Sequence, residues 1–186
     1  MEKKYELTEE TANLPKGGKL YRIKALRNFN DVKIGDLGGF IEKESNLSHE
    51  GNCWVYDGEV HGDASISDNA KIRDSAWIID AKISGNARIS GNAVVFGNAQ
   101  VSGSAVVMSH AHVYGNANIS GNCWVSGSAC IYGNAKIYGN AKVSDYVSVY
   151  DYAEIYGQSK IRGYSSICGN AIICGDACIR DQIIKE

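Results

Sequence analysis

The chain of 186 residues lacks several features that would assign it to a common class of protein. It has one proline, and no apolar run approaches the roughly 18 residues that a membrane-spanning helix needs. The first residues, Met1 to Glu6, contain no apolar core of the kind found in a signal peptide. We therefore expect a cytoplasmic protein that does not enter a membrane.

A dominant charge of either sign is also absent. There are 19 Lys and Arg against 21 Asp and Glu, which gives a formal net charge of -2. Such a balance provides no global attraction to nucleic acid or to an anionic membrane, and neither is expected as a partner.

The organising feature of the sequence is a six-residue repeat. It is most regular from Ala81 to Asn140 and is typified by Ala-Lys-Ile-Ser-Gly-Asn at 81–86. Continued in both directions, it gives 22 units from Cys53 to Gln182, of which 16 begin with Ala and all 22 carry Ile or Val third. Residues alternate between the faces of a strand, so the first and third point inward and the second and fourth outward. Units this short cannot bury their own apolar side chains and must stack into a solenoid.

The end of each unit has the composition of a tight corner. Gly is fifth in 14 units and Asn is sixth in nine. Gly accepts positive φ and Asn tolerates it, as such a corner requires. Two units, 53–57 and 76–80, are one residue short, and we expect each shortening to be absorbed at a corner.

Residues 1–52 do not follow the repeat. Lys4 to Glu9 and Leu20 to Leu26 are predicted as short strands around a turn at 13–18, a combination that would cover the open end of a solenoid. We therefore divide the chain into an N-terminal β cap at 1–52, a repeat array at 53–182 and a tail at 183–186.

The repeat resembles that of the hexapeptide-repeat, or isoleucine-patch, family. The segments at 20–27, 35–42 and 44–56 further resemble the YdcK-like branch of bacteria and phages. The resemblance implies an all-β fold, a left-handed parallel β-helix of about seven triangular coils with three units per coil, and assembly as a trimer.

With three units per coil, every third unit stacks at about 4.8 Å and the outward side chains form three columns. The aromatic column contains Trp77, Ile79, Val94, Phe96, His112, Tyr114, Cys130, Tyr132 and Tyr150. The basic column has no Asp or Glu and contains Lys71, Arg73, Arg88, Lys142, Lys160, Arg162 and Arg180, interrupted by Val106, Met108 and Trp124. The third column is mainly polar and is expected to face solvent.

Each of the first two columns has two interpretations. A continuous apolar surface is rarely left bare on a monomer, so we predict a homo-oligomer, with a trimer as the expected state. Its predicted interface consists of Trp77, Ile79, Phe96, His112, Tyr114 and Tyr132. The alternative is a surface ladder of aromatic side chains that favours strands without a partner. The basic column is either a solvated surface balanced by corner acids such as Asp68 and Asp145, or a site for an anion.

The six cysteines do not indicate a metal centre. Cys53 and Cys123 take the inward first position and are predicted to be small core residues. Cys168, Cys174 and Cys178 fall on three different faces and cannot meet around one ion. No metal is expected, and reduced thiols agree with a cytoplasmic location.

His110 and His112 are the only candidates for catalysis. The resemblance to the hexapeptide-repeat family implies one of two kinds of chemistry. These are acyl transfer from acyl-CoA with a histidine as the base, or zinc chemistry with histidine ligands. The nearest outward carboxylate in the column of His112 is Glu59, three coils or about 14 Å away, and a third zinc ligand is missing. No insertion interrupts the array to form a substrate loop.

We therefore interpret the chain as a non-catalytic, oligomeric binding protein without a cofactor. Its ligand would be a small anion such as a nucleotide signal, held in clefts between subunits and sequestered as the resemblance to phage proteins implies. A protein partner on the basic face is a further possibility. The predicted ligand-binding residues are Arg73, Arg88, Trp124, Tyr114, Tyr132 and Lys142. An acyl-CoA-dependent acyltransferase and a structural scaffold remain as alternatives.

Overall fold

The computed structural model describes residues 2–15 and 17–186. Over these ranges the chain forms strands and one short 3-10 helix, Glu44–Asn46, with no α-helix. No helix in the described residues is long and apolar enough to cross a membrane.

The strands are numbered in chain order. The first three are β1 (Tyr5–Asn13), β2 (Lys19–Ala25) and β3 (Leu37–Ile41). Those of the array are β4 (Trp54–Val55), β5 (Glu59–His61), β6 (Ser65–Ile66), β7 (Lys71–Ile72), β8 (Trp77–Ile79), β9 (Lys82–Ile83), β10 (Arg88–Ile89), β11 (Val94–Phe96), β12 (Gln100–Val101), β13 (Val106–Val107), β14 (His112–Val113), β15 (Asn118–Ile119), β16 (Trp124–Val125), β17 (Cys130–Ile131), β18 (Lys136–Ile137), β19 (Lys142–Val143), β20 (Ser148–Val149), β21 (Glu154–Ile155), β22 (Lys160–Arg162), β23 (Ser166–Cys168), β24 (Ile172–Ile173), β25 (Cys178–Arg180) and β26 (Ile183–Lys185).

The strands of the array form three parallel sheets. The aromatic sheet has the order β3-β5-β8-β11-β14-β17-β20-β23-β26, preceded by the antiparallel strands β1 and β2. The basic sheet runs from β4 through β7, β10, β13, β16, β19 and β22 to β25, and the polar sheet takes every third strand from β6 to β24. Each turn contributes one strand to each sheet, so the fold is a parallel β-solenoid of about eight turns. The predicted repeat architecture is confirmed.

The interior is a stack of the small and β-branched residues that the repeat predicts to point inward. Ile89, Val101 and Val113 are 0% exposed, as are Cys53 and Cys123. Burial raises the pKa of the Cys123 thiol to about 12, so the thiol stays neutral. Cys53 and Cys123 are therefore small core residues, as predicted.

The corners have the positive φ expected of Gly-Asn. At Gly103, φ is +66°, and a Cβ there would lie 2.8 Å from the backbone nitrogen and oxygen of Gly121 on the next turn. Asp68 adopts φ 58° without being glycine, and its carboxylate accepts the Gly85 N–H at 2.8 Å. Asp is one of the few residues besides glycine that tolerate this conformation, and here its carboxylate also bonds to the next turn.

The solenoid extends beyond residues 53–182 at both ends. Strand β3 already pairs in parallel with β5, and Leu47 bridges to Ile66. At the other end β26 pairs with β23. Ile41 and Leu47 are buried inward residues, but they lack the Ala and Gly-Asn that mark a unit. This is why there are about eight turns where the sequence predicted about seven.

The N-terminal hairpin and the loop after it pack on the first turn. Trp54 is buried against Phe29 and Tyr5, with ring centroids 5.4 and 6.3 Å away. Lys4 is also buried, and its Nζ donates to the Cys53 carbonyl at 2.9 Å. These contacts bring the loop at 28–36 next to the basic sheet.

Candidate functional site

The basic column is continuous across neighbouring strands of the basic sheet. The pairing register places Lys71 beside Arg88, then Val106, Trp124 and Lys142 in turn. Because neighbouring strands lie about 4.8 Å apart, Arg88 and Trp124 are separated by two strand spacings, about 10 Å along the solenoid axis.

These side chains line a groove of about 350 Å³ within a single chain. Its cationic end has Arg73 and Arg88, its floor has Val106 and Met108, and Trp124 lies at the far end. The indole is 47% exposed, so part of the ring is open to a ligand. The full lining is Lys71, Arg73, Arg88, Ile89, Ser90, Val106, Met108 and Trp124.

The N-terminal end of the groove is held by a carboxylate from outside the repeat. Asp31 accepts from Lys71 Nζ at 3.0 Å and from Arg73 Nη2 at 3.2 Å, and the Tyr56 hydroxyl donates to it at 2.6 Å. The Arg73 guanidinium also lies 3.8 Å from the Tyr56 ring centroid. The Tyr56 hydroxyl, together with Lys71, holds the pKa of Asp31 well below its ordinary value.

Arg88 differs from these two cations. Among residues 2–15 and 17–186 no carboxylate forms an ion pair with it, whereas Lys71 and Arg73 share Asp31. Its guanidinium offers five donors in a planar fork suited to a phosphate or carboxylate. Arg88 is therefore the cation in the groove best placed to receive an anionic ligand.

Trp124 is flanked on its other side by Lys142. The ammonium group lies 6.0 Å from the indole centroid, at the outer limit of a cation–π contact. Lys142 thus borders the groove from the next strand without lining it.

The aromatic column forms a stacked ladder on a different sheet. The ring centroids of Phe96 and Tyr114 are 4.7 Å apart, those of Tyr114 and Tyr132 are 4.9 Å apart, and those of Tyr132 and Tyr150 are 4.9 Å apart, with interplanar angles of 7°, 2° and 4°. Both faces of Tyr114 and Tyr132 are therefore covered by neighbouring rings. Neither can stack on a flat ligand group, and neither shares a groove with Arg88.

The predicted ligand residues thus separate into three groups. Arg73, Arg88 and Trp124 line one groove, Lys142 borders it, and Tyr114 and Tyr132 lie on the aromatic sheet. The predicted cleft between subunits, where the aromatic and basic columns would adjoin, stays a prediction. Within one chain the two columns belong to different sheets.

The residues predicted for the oligomer interface do share one surface. Trp77 is 44% exposed and lies beside Val94, which is followed by His112 in the strand register. Ile79 and Phe96 occupy the neighbouring outward positions and are half-buried. This surface is apolar over several turns, and only the edges of its stacked rings are exposed.

The two histidines have no catalytic partner within the described part of the chain. His110 lies at a corner, where its Nε2 is 3.3 Å from Asn92 Nδ2. His112 is exposed, and the register places Glu59 three strands away in the same column. A histidine that acts as a general base is usually oriented by a carboxylate. In the described residues no carboxylate orients either imidazole.

The described residues also contain no group of three or more His, Cys, Asp or Glu side chains arranged to hold a metal ion. Cys168, Cys174 and Cys178 lie in or beside strands of three different sheets, as the register predicted.

Sequence reasoning missed Asp31, which determines the charge at one end of the groove. Asp31 lies in the non-repeating segment, 40 residues from Lys71, and no periodicity connects the two. The sequence held one weak indication of such a residue. The basic column contains no acid, so its cations need a carboxylate partner from another part of the chain.

The fold and groove define a parallel β-solenoid protein with one cationic and one aromatic sheet. A family model described as the YdcK β-solenoid repeat matches residues 81–96. The chain is also similar to the uncharacterized acetyltransferase YdcK of Escherichia coli (strain K12), with 42% identity over 62 residues. The match covers 30% of this chain and 19% of that relative, so it spans about a fifth of the length of the curated protein it matches. These two matches confirm the resemblance to the YdcK-like branch.

The contacts of Asp31 predict a pH-dependent contribution to stability. A carboxylate whose pKa is lowered by folding stabilises the protein above its unfolded pKa of about 3.9, and this contribution disappears as pH falls through the folded value. We expect Asp31→Asn to lower the unfolding temperature at about pH 5 to 8 and the difference from wild type to narrow below about pH 4.

Calorimetric unfolding across this pH range measures the effect. Asp36→Asn is the matched control, because Asp36 is in the same loop and accepts the Lys33 N–H without contacting the basic sheet. The pH-dependent role of Asp31 would be contradicted if wild type and Asp31→Asn had the same unfolding temperature at neutral pH. It would also be contradicted if their difference in unfolding temperature were unchanged far below pH 4.

Proposed function

We propose that the protein is a non-catalytic binding protein whose groove on the basic sheet holds a small anionic ligand with a flat group, of which a nucleotide is the leading example. The observation that carries the proposal is the pairing of Arg88, which has no ion-pair partner in the described chain, with the part-exposed Trp124 in one groove. Sequestration of a nucleotide signal is one form that this function takes.

The geometry of the groove favours a ligand with two chemically distinct ends. Arg88 supplies charge-assisted hydrogen bonds for phosphate oxygens, while Trp124 supplies a ring face about 10 Å away for a base. Val106 and Met108 between them provide apolar contact for the part of the ligand that joins the two. A simple inorganic anion would leave the aromatic half of the groove unused.

Removal of the Arg88 or the Trp124 side chain from the groove should weaken nucleotide binding. We expect Arg88→Ala and Trp124→Ala each to raise Kd by at least about fivefold for the nucleotide that binds most tightly, since loss of a charged hydrogen bond or of base stacking costs roughly 1–3 kcal/mol. Thermal-shift screening of nucleotides and cyclic nucleotides identifies the probe, and calorimetry measures the affinity.

Arg162→Ala is the matched control, because Arg162 is an exposed arginine on the same sheet but outside the groove. It should leave Kd unchanged. If no nucleotide stabilises the protein and Arg88→Ala alters no interaction, the scaffold interpretation replaces the binding proposal.

We further propose that the aromatic sheet mediates self-association, with a homotrimer as the expected state. Support comes from the continuous apolar surface of this sheet, on which Trp77 is 44% exposed and the stacked rings of Phe96 and Tyr132 are half-buried. Closed symmetry is the usual way for identical chains to bury such a surface. The groove does not depend on this assembly, since one chain supplies its entire lining.

Charge on the aromatic sheet should separate the subunits. The double variant Phe96→Glu with Tyr114→Glu is expected to shift the mass in light scattering from about three chains to one chain of 20.1 kDa. Lys136→Glu with Asn118→Glu, on the polar sheet, is the control and should keep the wild-type mass. A monomeric wild type at micromolar concentration would refute the proposal.

Acyl transfer from acyl-CoA is the second candidate. One specific observation favours it: the relative YdcK is named as an uncharacterized acetyltransferase. His110 or His112 would act as the base, with an acid supplied by another subunit. Release of the CoA thiol over a panel of small hydroxyl and amine acceptors tests this function. Loss of release in His110→Ala or His112→Ala would support it, and unchanged release in both would exclude these histidines from the mechanism.

A further inference from the structure

A second, polar cleft adjoins the groove. It has a volume of about 290 Å³ and is lined by Asn30, Asn52, Asn69, Lys71, Asn86 and Arg88. Lys71 and Arg88 also line the groove, so the two spaces meet at these cations. The new cleft is bounded by side-chain amides and cations, whereas the groove continues to Val106, Met108 and Trp124.

Three of the amides form a ladder at the corner that leads into the basic sheet. Asn52 Nδ2 donates to Asn69 Oδ1 at 3.0 Å, and Asn69 Nδ2 donates to Asn86 Oδ1 at 3.0 Å. Each primary amide has two N–H donors and two acceptor lone pairs, so the ladder uses only part of its capacity. The remaining donors and acceptors are available to a molecule in the cleft.

The chemistry of the cleft differs from that of the cations beside it. Arg and Lys only donate hydrogen bonds and suit an anion, whereas an amide both donates and accepts. A hydroxyl group likewise donates and accepts, so a row of amides matches a group that carries several hydroxyls. We infer that the cleft holds a sugar covalently joined to the anion at Arg88 and Lys71, and that the ligand class is a nucleoside diphosphate sugar. This inference rests on the proposed function.

The order of residues along the solenoid axis agrees with such a ligand. Trp124, Arg88 and Lys71 follow one another toward the N-terminal end of the basic sheet. The amide ladder runs beside the two cations, from Asn86 toward Asn52, and away from Trp124. A base at Trp124 therefore places the diphosphate at Arg88 and next to Lys71, whose ammonium keeps donors beyond the one that it gives to Asp31, and the sugar at Asn69.

An asparagine ladder alone does not make this site, and the chain contains a matched example. Asn98 Nδ2 donates to Asn116 Oδ1 at 3.3 Å, and Asn116 Nδ2 donates to Asn134 Oδ1 at 3.1 Å. Asn116 is the middle member of its ladder, as Asn69 is of the first. The two differ in surroundings: Asn69 borders the cleft with Lys71, Arg88 and the loop residue Asn30.

The experiment compares each nucleoside diphosphate with its hexose conjugate by calorimetry. The probes are UDP with UDP-glucose, ADP with ADP-glucose and GDP with GDP-mannose. For the pair with the preferred base, the hexose should tighten binding to the wild type by at least tenfold. Asn69→Ala should abolish this gain while leaving the diphosphate affinity within about twofold, and Asn116→Ala should retain the gain, although both variants lose the same ladder hydrogen bonds.

Asn30→Gly provides a second variant in case Asn69→Ala is poorly folded. Asn30 is outside the ladder and has φ 45°, which glycine adopts readily. Because its Nδ2 also donates to Asp31, the diphosphate affinity of this variant is measured as well, and a reduced hexose gain at unchanged diphosphate affinity is expected. Equal affinity for a diphosphate and its hexose conjugate, or equal loss of the gain in Asn69→Ala and Asn116→Ala, overturns the inference. In that outcome Arg88-dependent binding of the diphosphate leaves the proposed function in place, whereas failure of every probe to bind, together with no stabilisation by any nucleotide or cyclic nucleotide, overturns both.

Discussion

Packing of one small and one β-branched side chain on the inward face of every strand is the interaction on which the rest of the structure depends. Ala and Ile or Val stack on their equivalents in adjacent turns, and the residues of this interior, such as Ile89 and Val113, are fully buried. The stack holds strands at the spacing of a β-sheet and leaves a corner of two residues between them. Because that spacing is fixed, the outward side chains are also fixed, at about 4.8 Å intervals along each sheet.

The same regular spacing covers the ring faces on the aromatic sheet but leaves side chains on the basic sheet open to a ligand. On the aromatic sheet, rings one turn apart stack on one another, so Tyr114 and Tyr132 use both faces within the chain. On the basic sheet, neighbouring side chains are of unlike kinds, and Arg88, Val106 and Trp124 cannot satisfy one another in this way. Their cationic and aromatic surfaces remain available, which is why the groove and not the ladder is the candidate binding site.

The repeat allowed the interior and the outward columns to be predicted by counting. Ile89, Val101 and Val113 are buried, and Arg88 is beside Val106, because a six-residue period and three units per turn leave no other register. Asp31 could not be found in this way, since its contact with Lys71 is made by a loop without a period. A ladder of aromatic side chains was one of two interpretations of the aromatic column. The sequence could not establish that the ring faces of Tyr132 are covered, because two tyrosines one turn apart can equally splay outward.

We propose that a ligand binds at the groove of the basic sheet and not at the aromatic sheet. The three tryptophans report on three places: Trp54 is buried in the first turn, Trp77 lies on the aromatic sheet, and Trp124 is in the groove. The most direct measurement is therefore a nitrogen–proton NMR titration of the three indole N–H signals with a nucleoside diphosphate. We expect the Trp124 signal to move in a saturable manner while the signals of Trp54 and Trp77 stay in place. A shift of Trp77 with Trp124 unchanged would contradict it.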